Sequence, residues 1–185
     1  MRIVAGRFKG HQLATPKDQS TRPTSDRVRE SLFNLLIHGI EDLELEGART
    51  LDLFAGTGAL GIEALSRGAK YCLFIENSAQ TRGLIRDNVE ALHLTGITKV
   101  WRRDASALGP AGNLEPFDLV FADPPYGKGL GELALRSAHD NRWIKPGGIA
   151  VVEERSSSVF EVPEGYEEID RRAYGDTQII VMRTL

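Results

Sequence analysis

The stretch "LDLFAGTGALG", Leu51 to Gly61, decides the fold. Its first half is an apolar run of strand length. Its second half turns to small residues and opens a helical pattern that continues through "IEALSRG" to Gly68. Gly56, Gly58 and Gly61 fit G-x-G-x-x-G between that strand and that helix, the context that lifts the spacing above a chance match. Glycines at such a turn let the chain bend tightly and let a ligand approach the backbone at the carboxyl end of the strand.

Downstream of this unit the texture repeats. "YCLFIE", "ITKVWRRD", "FDLVFAD" and "GGIAVVEE" read as strands, and "SAQTRGLIRDNVEALHL" reads as a helix. "GLGELALRSAHD" is helical but broken by glycine, and "YEEIDRRAYGDTQIIVMRTL" reads as a closing hairpin that turns near Gly175-Asp176. Strands alternating with helices predict a parallel sheet with helices on both faces, and the hairpin adds an antiparallel edge. The fold class is α/β, Rossmann-like.

Upstream, "RVRESLFNLLIHG" places Val28, Leu32, Leu35 and Leu36 on one helical face, with Ser25 or Asp26 to cap it and Gly39 to end it. Arg22, Arg27 and Arg29 are expected to face outward. "RIVAGRFKGHQLAT" reads as a hairpin around Gly6 to Gly10, followed by the polar loop "PKDQSTRPTSD". The expected division is a basic head over residues 1–24 and a core domain over 25–185.

The bulk composition narrows the class. With 185 residues, 41% hydrophobic and 26% charged, the chain suits one soluble domain with a real core. No apolar run reaches the length of a membrane span, and the charged N-terminus does not read as a signal peptide, so a cytoplasmic protein is expected. Cys72, the single cysteine, sits in an apolar run and reads as a core residue of a reducing compartment. The scattered histidines have no metal-ligand spacing, so no metal is expected. The net charge of −3 is unevenly spread: residues 1–36 carry +4 and the remainder −7. A basic head on an acidic body is either solvated surface or a strip that contacts backbone phosphates.

Three carboxylates end the first three core strands. Glu76, twenty residues after Gly56, is placed to accept hydrogen bonds from two ribose hydroxyls. That pairing alone would suit a nicotinamide dinucleotide. Asp52, four residues before Gly56, repels a pyrophosphate and suits a ligand with a cationic amino group. Asp104 in "RRDA" can accept from an adenine amino group. Asp52 or Asp104 alone could cap a helix or a turn; in register with the glycine set and Glu76 they point to S-adenosylmethionine.

The fourth strand ends in Asp123-Pro124-Pro125-Tyr126. The prolines stop the strand and fix a stiff, non-helical corner. The Asp123 carboxylate and the Pro124 carbonyl can hold the two hydrogens of an exocyclic amino group and aim its lone pair at a sulfonium methyl. Tyr126 offers a face for a flipped base. The corner does not choose the base, since guanine N2, adenine N6 and cytosine N4 present the same kind of group.

"DLFAGTG", Glu76, "RRDA" and "DPPY" in this order resemble class I S-adenosylmethionine-dependent methyltransferases that act on exocyclic amino groups. The head segments "RIVAGRFKGHQLATP" and "TRPTSDRVRESLFNLL", with the tail "AYGDTQIIVM", closely resemble the RsmD family. That resemblance implies a seven-stranded sheet, methylation of guanine N2 in bacterial 16S ribosomal RNA, and 30S particles or their assembly intermediates as substrate. It carries over Asp52, Gly56, Gly58, Glu76 and Asp104 as donor-site residues, and Phe54, Ala55, Thr57, Asn77 and Ala105 are expected beside them. It carries over Asp123, Pro124, Pro125 and Tyr126 as the catalytic corner. Arg2, Arg7, Lys9, Arg22, Arg27 and Arg29 are expected to face RNA, and the protein is expected to be a monomer.

Other functions compete with this reading. A DNA adenine-N6 methyltransferase would normally need a target-recognition region for which there is little spare length. A glutamine-N5 methyltransferase favours Asn where Asp123 stands. A non-catalytic, adenosylmethionine-binding ribosome assembly factor would not need the full set of donor and corner residues.

Overall fold

A computed structural model describes residues 1–17 and 25–185. Its elements are α1 (Asp26–His38), β1 (Arg49–Leu53), α2 (Ala59–Ser66), β2 (Tyr71–Ile75), α3 (Ala79–Ala91), β3 (Thr98–Trp101), β4 (Phe117–Ala122), α4 (Leu130–Asp140), β5 (Ile144–Arg155), β6 (Tyr166–Tyr174) and β7 (Thr177–Thr184). The strands form one seven-stranded sheet in the order β3-β2-β1-β4-β5-β7-β6. β1 to β5 are parallel, and β7 is antiparallel to both β5 and β6.

The sequence dictates this arrangement. Leu51, Leu53, Leu73, Ile75, Val120 and Phe121 are buried because the central strands are covered on both faces. The edge strand β6, "YEEIDRRAY", keeps its charges outward, which blunts further strand pairing. One core joins α1, α2 and α3 to the sheet through Phe33, Ile62, Phe74, Ile85 and Phe121. The other packs α4 through Leu135, Trp143, Phe117 and Val120, and the Trp143 indole N–H donates to the Gly109 carbonyl at 2.8 Å. Burying a side chain of this size stabilises by about 1.5–3 kcal/mol.

Three elements differ in detail from expectation. α4 runs unbroken from Leu130, because Gly131 allows close packing: a Cβ there would stand 3.2 Å from Val152 Cγ1 and 3.5 Å from Pro124 Cγ. β5 starts at Ile144, earlier than expected, with a register shift against β4 between Phe117 and Leu119. The head is held by a single Arg2–Gln12 bridge and nearby backbone bonds rather than by two full strands. Its Ile3 and Leu13 belong to the same core as α1 and α2.

The chain order places a crevice. β1, β2 and β3 build outward on one side of β1, and β4 starts the other side, so the strand order reverses between β1 and β4. Ligands of open α/β sheets bind at the carboxyl ends of strands at such a switch point. The loop Phe54–Gly58 follows β1 and the corner Asp123–Tyr126 follows β4.

Candidate active site

The glycine loop is built by backbone rules. Phe54 has φ 55° and Gly58, which opens α2, has φ 81°. Only glycine adopts such left-handed geometry without a Cβ penalty, so Phe54 is a strained position at the mouth of the loop. Gly61 serves packing: a Cβ there would lie 2.5 Å from Phe74 Cε1 and 2.6 Å from Cys72 Sγ. At Gly56 the nearest such atom is the Phe54 carbonyl at 4.0 Å, so the surface over that residue is open to a ligand. Ala55 is buried, and its N–H donates to the Ile75 carbonyl at 3.1 Å, tying the loop to β2.

The three carboxylates expected to hold the donor occupy distinct environments. Asp52 is buried, and its Oδ2 accepts from the Gly61 N–H at 3.0 Å. Desolvation outweighs that hydrogen bond and, with the nearby Glu76 charge, pushes its carboxyl up to about 8. Glu76 is half-buried at the end of β2; its Oε1 accepts from Gly56 N–H at 3.1 Å and its Oε2 from Ser78 N–H at 2.8 Å. Asn77 beside it is exposed. Asp104 caps the short turn at Ala105–Ala107: its Oδ1 accepts from the Ser106 N–H at 2.9 Å and hydroxyl at 2.6 Å, which hold it below the usual carboxylate range. Ala105 is buried behind it.

At the corner, register brings four carboxylates to one end of the sheet. Asp52 pairs with Phe121, and Phe121 with Val151, so those side chains share a face. Two residues further on, Asp123 and Glu153 continue β4 and β5 with the same alternation. Desolvation, then the charges of Glu153, Asp52 and Glu154, raise the Asp123 carboxyl well above its ordinary value. Pro124 is buried, Pro125 is exposed, and Tyr126 is half-buried. The Tyr126 hydroxyl donates to Glu153 Oε1 at 2.8 Å, and Gly127 N–H donates to Glu154 Oε1 at 3.1 Å.

Glu153 and Glu154 went unrecognised in the sequence, where "GGIAVVEE" reads simply as a strand. Both are buried. The available signal was their place at the carboxyl end of the strand next to β4.

The head is docked rather than loose. The buried Glu63 of α2 accepts from Val4 N–H at 2.8 Å and Ala5 N–H at 3.1 Å, and pairs with Arg67 at 3.0 Å and Arg29 at 3.4 Å. Arg29 is therefore a correction to the outward-facing expectation: it is 1% exposed and also bonds Asp26 and the Arg2 carbonyl. Its burial follows from the spacing 29, 32, 33, 36, which puts it on the stripe with Leu32, Phe33 and Leu36. Arg2 is exposed and bonded to Asp26 at 2.8 Å, while Arg7, Lys9 and Arg27 are exposed. Arg22 lies outside the described residues. Arg27 also lines an open depression of about 740 Å³ between α1 and β6, with Asn34, His38 and Arg172.

The head and the glycine loop meet at Asn88 of α3, which is 3% exposed. Its Oδ1 accepts from Ala14 N–H at 2.6 Å, and its Nδ2 donates to the carbonyls of Ala14 at 3.2 Å and Thr57 at 3.0 Å. Among the described residues no group of three or more His, Cys, Asp or Glu is arranged to hold a metal ion, and no helix is long and apolar enough to cross a membrane.

A glycine loop after β1, an acidic residue after β2, a proline-stiffened carboxylate after β4 and an antiparallel seventh strand together define a class I methyltransferase. Comparison with known proteins gives the family. The profile of the family described as "Conserved hypothetical protein 95" matches residues 1–183, and the chain belongs to it. Curated relatives of that family, the RsmD family, are named Ribosomal RNA small subunit methyltransferase D. The Escherichia coli one is 38% identical over 153 residues, 83% of this chain and 74% of the relative. The Haemophilus influenzae one is 33% identical over 177 residues, 95% of this chain and 89% of the relative. Among solved structures, the Escherichia coli protein yhhF superposes with a TM-score of 0.82 at 31% identity, covering 100% of this chain and 97% of that one.

Proposed function

We propose that the protein transfers a methyl group from S-adenosylmethionine to the exocyclic N2 of a guanine in 16S ribosomal RNA, acting as a monomer on the 30S subunit or an assembly intermediate in the cytoplasm. The observation that carries this reading is the register that sets Asp123, at the end of β4, beside the open glycine loop at the end of β1. The family relatives named for ribosomal RNA methylation support the choice of RNA.

The donor fits the residues at the loop. The open surface at Gly56 accepts a ligand against the backbone, and the buried Asp52 suits a cationic amino group. Phe54, Ala55, Gly56, Thr57 and Gly58 would form the wall of the donor pocket. Glu76 and Asn77 would hold the ribose, and Asp104 and Ala105 the adenine. When bound, S-adenosylmethionine supplies a methyl group activated by a sulfonium and leaves as S-adenosylhomocysteine.

The chain's own contribution is alignment and proton transfer. Asp123 and the Pro124 carbonyl accept the two amino hydrogens of guanine and turn the nitrogen lone pair toward the donor loop. Asp123 takes the proton that this nitrogen gives up on methylation. Its raised proton affinity makes it a stronger base than an ordinary carboxylate. Tyr126 stacks on the flipped ring, and Arg2, Arg7, Lys9 and Arg27 contact phosphates.

The test uses the purified protein, labelled S-adenosylmethionine and 30S particles from a strain lacking the enzyme, with mass mapping of the product nucleoside. Label on N2-methylguanosine is expected. Label on adenine or on protein refutes the guanine reading, and no transfer to any acceptor favours the assembly factor. Asp123→Ala should abolish transfer and leave donor binding within a few-fold; a collapse of donor affinity would move Asp123 to the donor site.

A further inference from the structure

Tyr126 is held in place by more than the prolines before it. Its hydroxyl donates to Glu153 Oε1 at 2.8 Å and lies 3.4 Å from Thr177 Oγ1 at the start of β7. Desolvation raises the phenol above its ordinary value, so it remains a donor across the working pH range. Arg155, two residues beyond Glu153, sets its guanidinium 5.6 Å from the ring centroid and covers one face of the ring. The half-buried ring keeps part of its surface accessible.

We propose that Glu153 is a positioning residue for methyl transfer, clamping the Tyr126 hydroxyl so that the ring is held in the pose in which it stacks on the flipped guanine. The inference rests on the base-methylating reading above. Packing alone does not account for a carboxylate here: Glu153 is 5% exposed, and a buried carboxylate pays a desolvation penalty. Its charge also repels Asp123, on which Asp52 of β1 and its neighbour Glu154 act as well, while Arg155 is the cation on its own strand and Thr177 the polar group on β7. What a carboxylate supplies is an acceptor stronger than a neutral one for the phenol O–H. Thus the pose of the stacking ring is fixed by the strand next to β4, and the ring does not have to be ordered by the RNA.

The clamp is tested by a double-mutant cycle with the 30S particle as acceptor. Tyr126→Phe and Glu153→Ala should each lower kcat/KM about ten-fold through misplacement of the stacked base. The double variant should be no worse than either single one, because both remove the same bond. Glu153→Gln keeps an acceptor oxygen and should recover most of the activity at neutral pH. Its acid limb should move to lower pH, since Asp123 loses a repelling neighbour. Ring signals of labelled tyrosine, assigned with Tyr126→Phe, should show a fixed ring in the wild type and Glu153→Gln and an averaged one in Glu153→Ala, without donor or RNA present. Additive losses, about a hundred-fold in the double variant, overturn the clamp, as does a Glu153→Ala ring that stays fixed. A wild-type enzyme that methylates no base overturns the parent reading instead, and the ring signals still decide the role of Glu153.

Discussion

Replacing Glu63 by alanine should undock the head from the core. In the native protein this side chain, with no measurable exposure, accepts the Val4 and Ala5 N–H groups and faces Arg29 and Arg67, which are 1% and 7% exposed. Removing it leaves two half-buried amides without their acceptor and two buried guanidiniums without their shared carboxylate. Burial already pulls the Arg29 guanidinium down from its ordinary value, against the pull of Glu63 and Asp26. Breaking a buried ion pair by removing one partner costs about 3–5 kcal/mol. At about 2–4 °C per kcal/mol for a chain of this size, Tm should fall by about 10 °C. Glu63→Gln should lose less, since it retains an acceptor for one amide. Thermal unfolding followed by circular dichroism measures the loss. Hydrogen exchange at the Val4 and Ala5 amides, together with tryptic cleavage after Arg7 and Lys9, measures the undocking. A Tm within about 2 °C of wild type with both amides still protected would refute the reasoning, because the head would then be held by Ile3, Leu13 and its bonds to Ser66, Asn88 and Arg29 without Glu63.

Asp52→Asn tests the buried donor-site carboxylate. Its folded value of about 8 lies above the ordinary one, so the stability it contributes is full at acid pH and is lost as pH rises from about 4 through 8. The variant should therefore gain Tm over wild type at pH 8 but not at pH 4, while its affinity for the cationic donor falls in calorimetry. Gly61→Ala and Gly56→Ala separate packing from binding. The first drives a Cβ into Phe74 and Cys72 and should cost about 1–3 kcal/mol in denaturant unfolding; the second meets no neighbour but carries the strain of φ 58°, about 1 kcal/mol, so its loss of donor affinity should exceed its loss of stability. Arg27→Ala with Arg172→Ala should lower the salt dependence of 30S binding by up to about two phosphate contacts and leave donor binding unchanged in filter assays; an unaltered salt slope would mark both as ordinary solvated charges.

Much of the architecture could be read from alternation alone. Strands buried on both faces give continuous apolar runs, and "LDLFAGTGALG" carries both the strand and the turn chemistry of its loop. The places of Glu76 and Asp123 on the sheet were legible because each directly follows a strand, β2 and β4, so chain position translates into position at the sheet's carboxyl edge. What remained hidden depends on partners distant in sequence. Arg29 finds Glu63 thirty-four residues away, and nothing local announces that pairing. Its own spacing with Leu32, Phe33 and Leu36 was the only hint, and the charge masked it. Glu153 and Glu154 read simply as the end of a strand until β4 and β7 close around them. Gly131 looks like a helix breaker until α4 is seen to rest against Pro124 and Val152.

The Asn88 amide ties together two distant parts of the chain. It grips Ala14 of the head and the Thr57 carbonyl of the glycine loop. Head and glycine loop are thus the two ends of one short, buried tether. Whatever stiffens Thr57 also stiffens Ala14, and linkage requires the favour to be returned in equal measure. A ligand seated on the glycine loop should therefore slow hydrogen exchange at the Ala14 amide, and one seated on the head should slow exchange in the glycine loop.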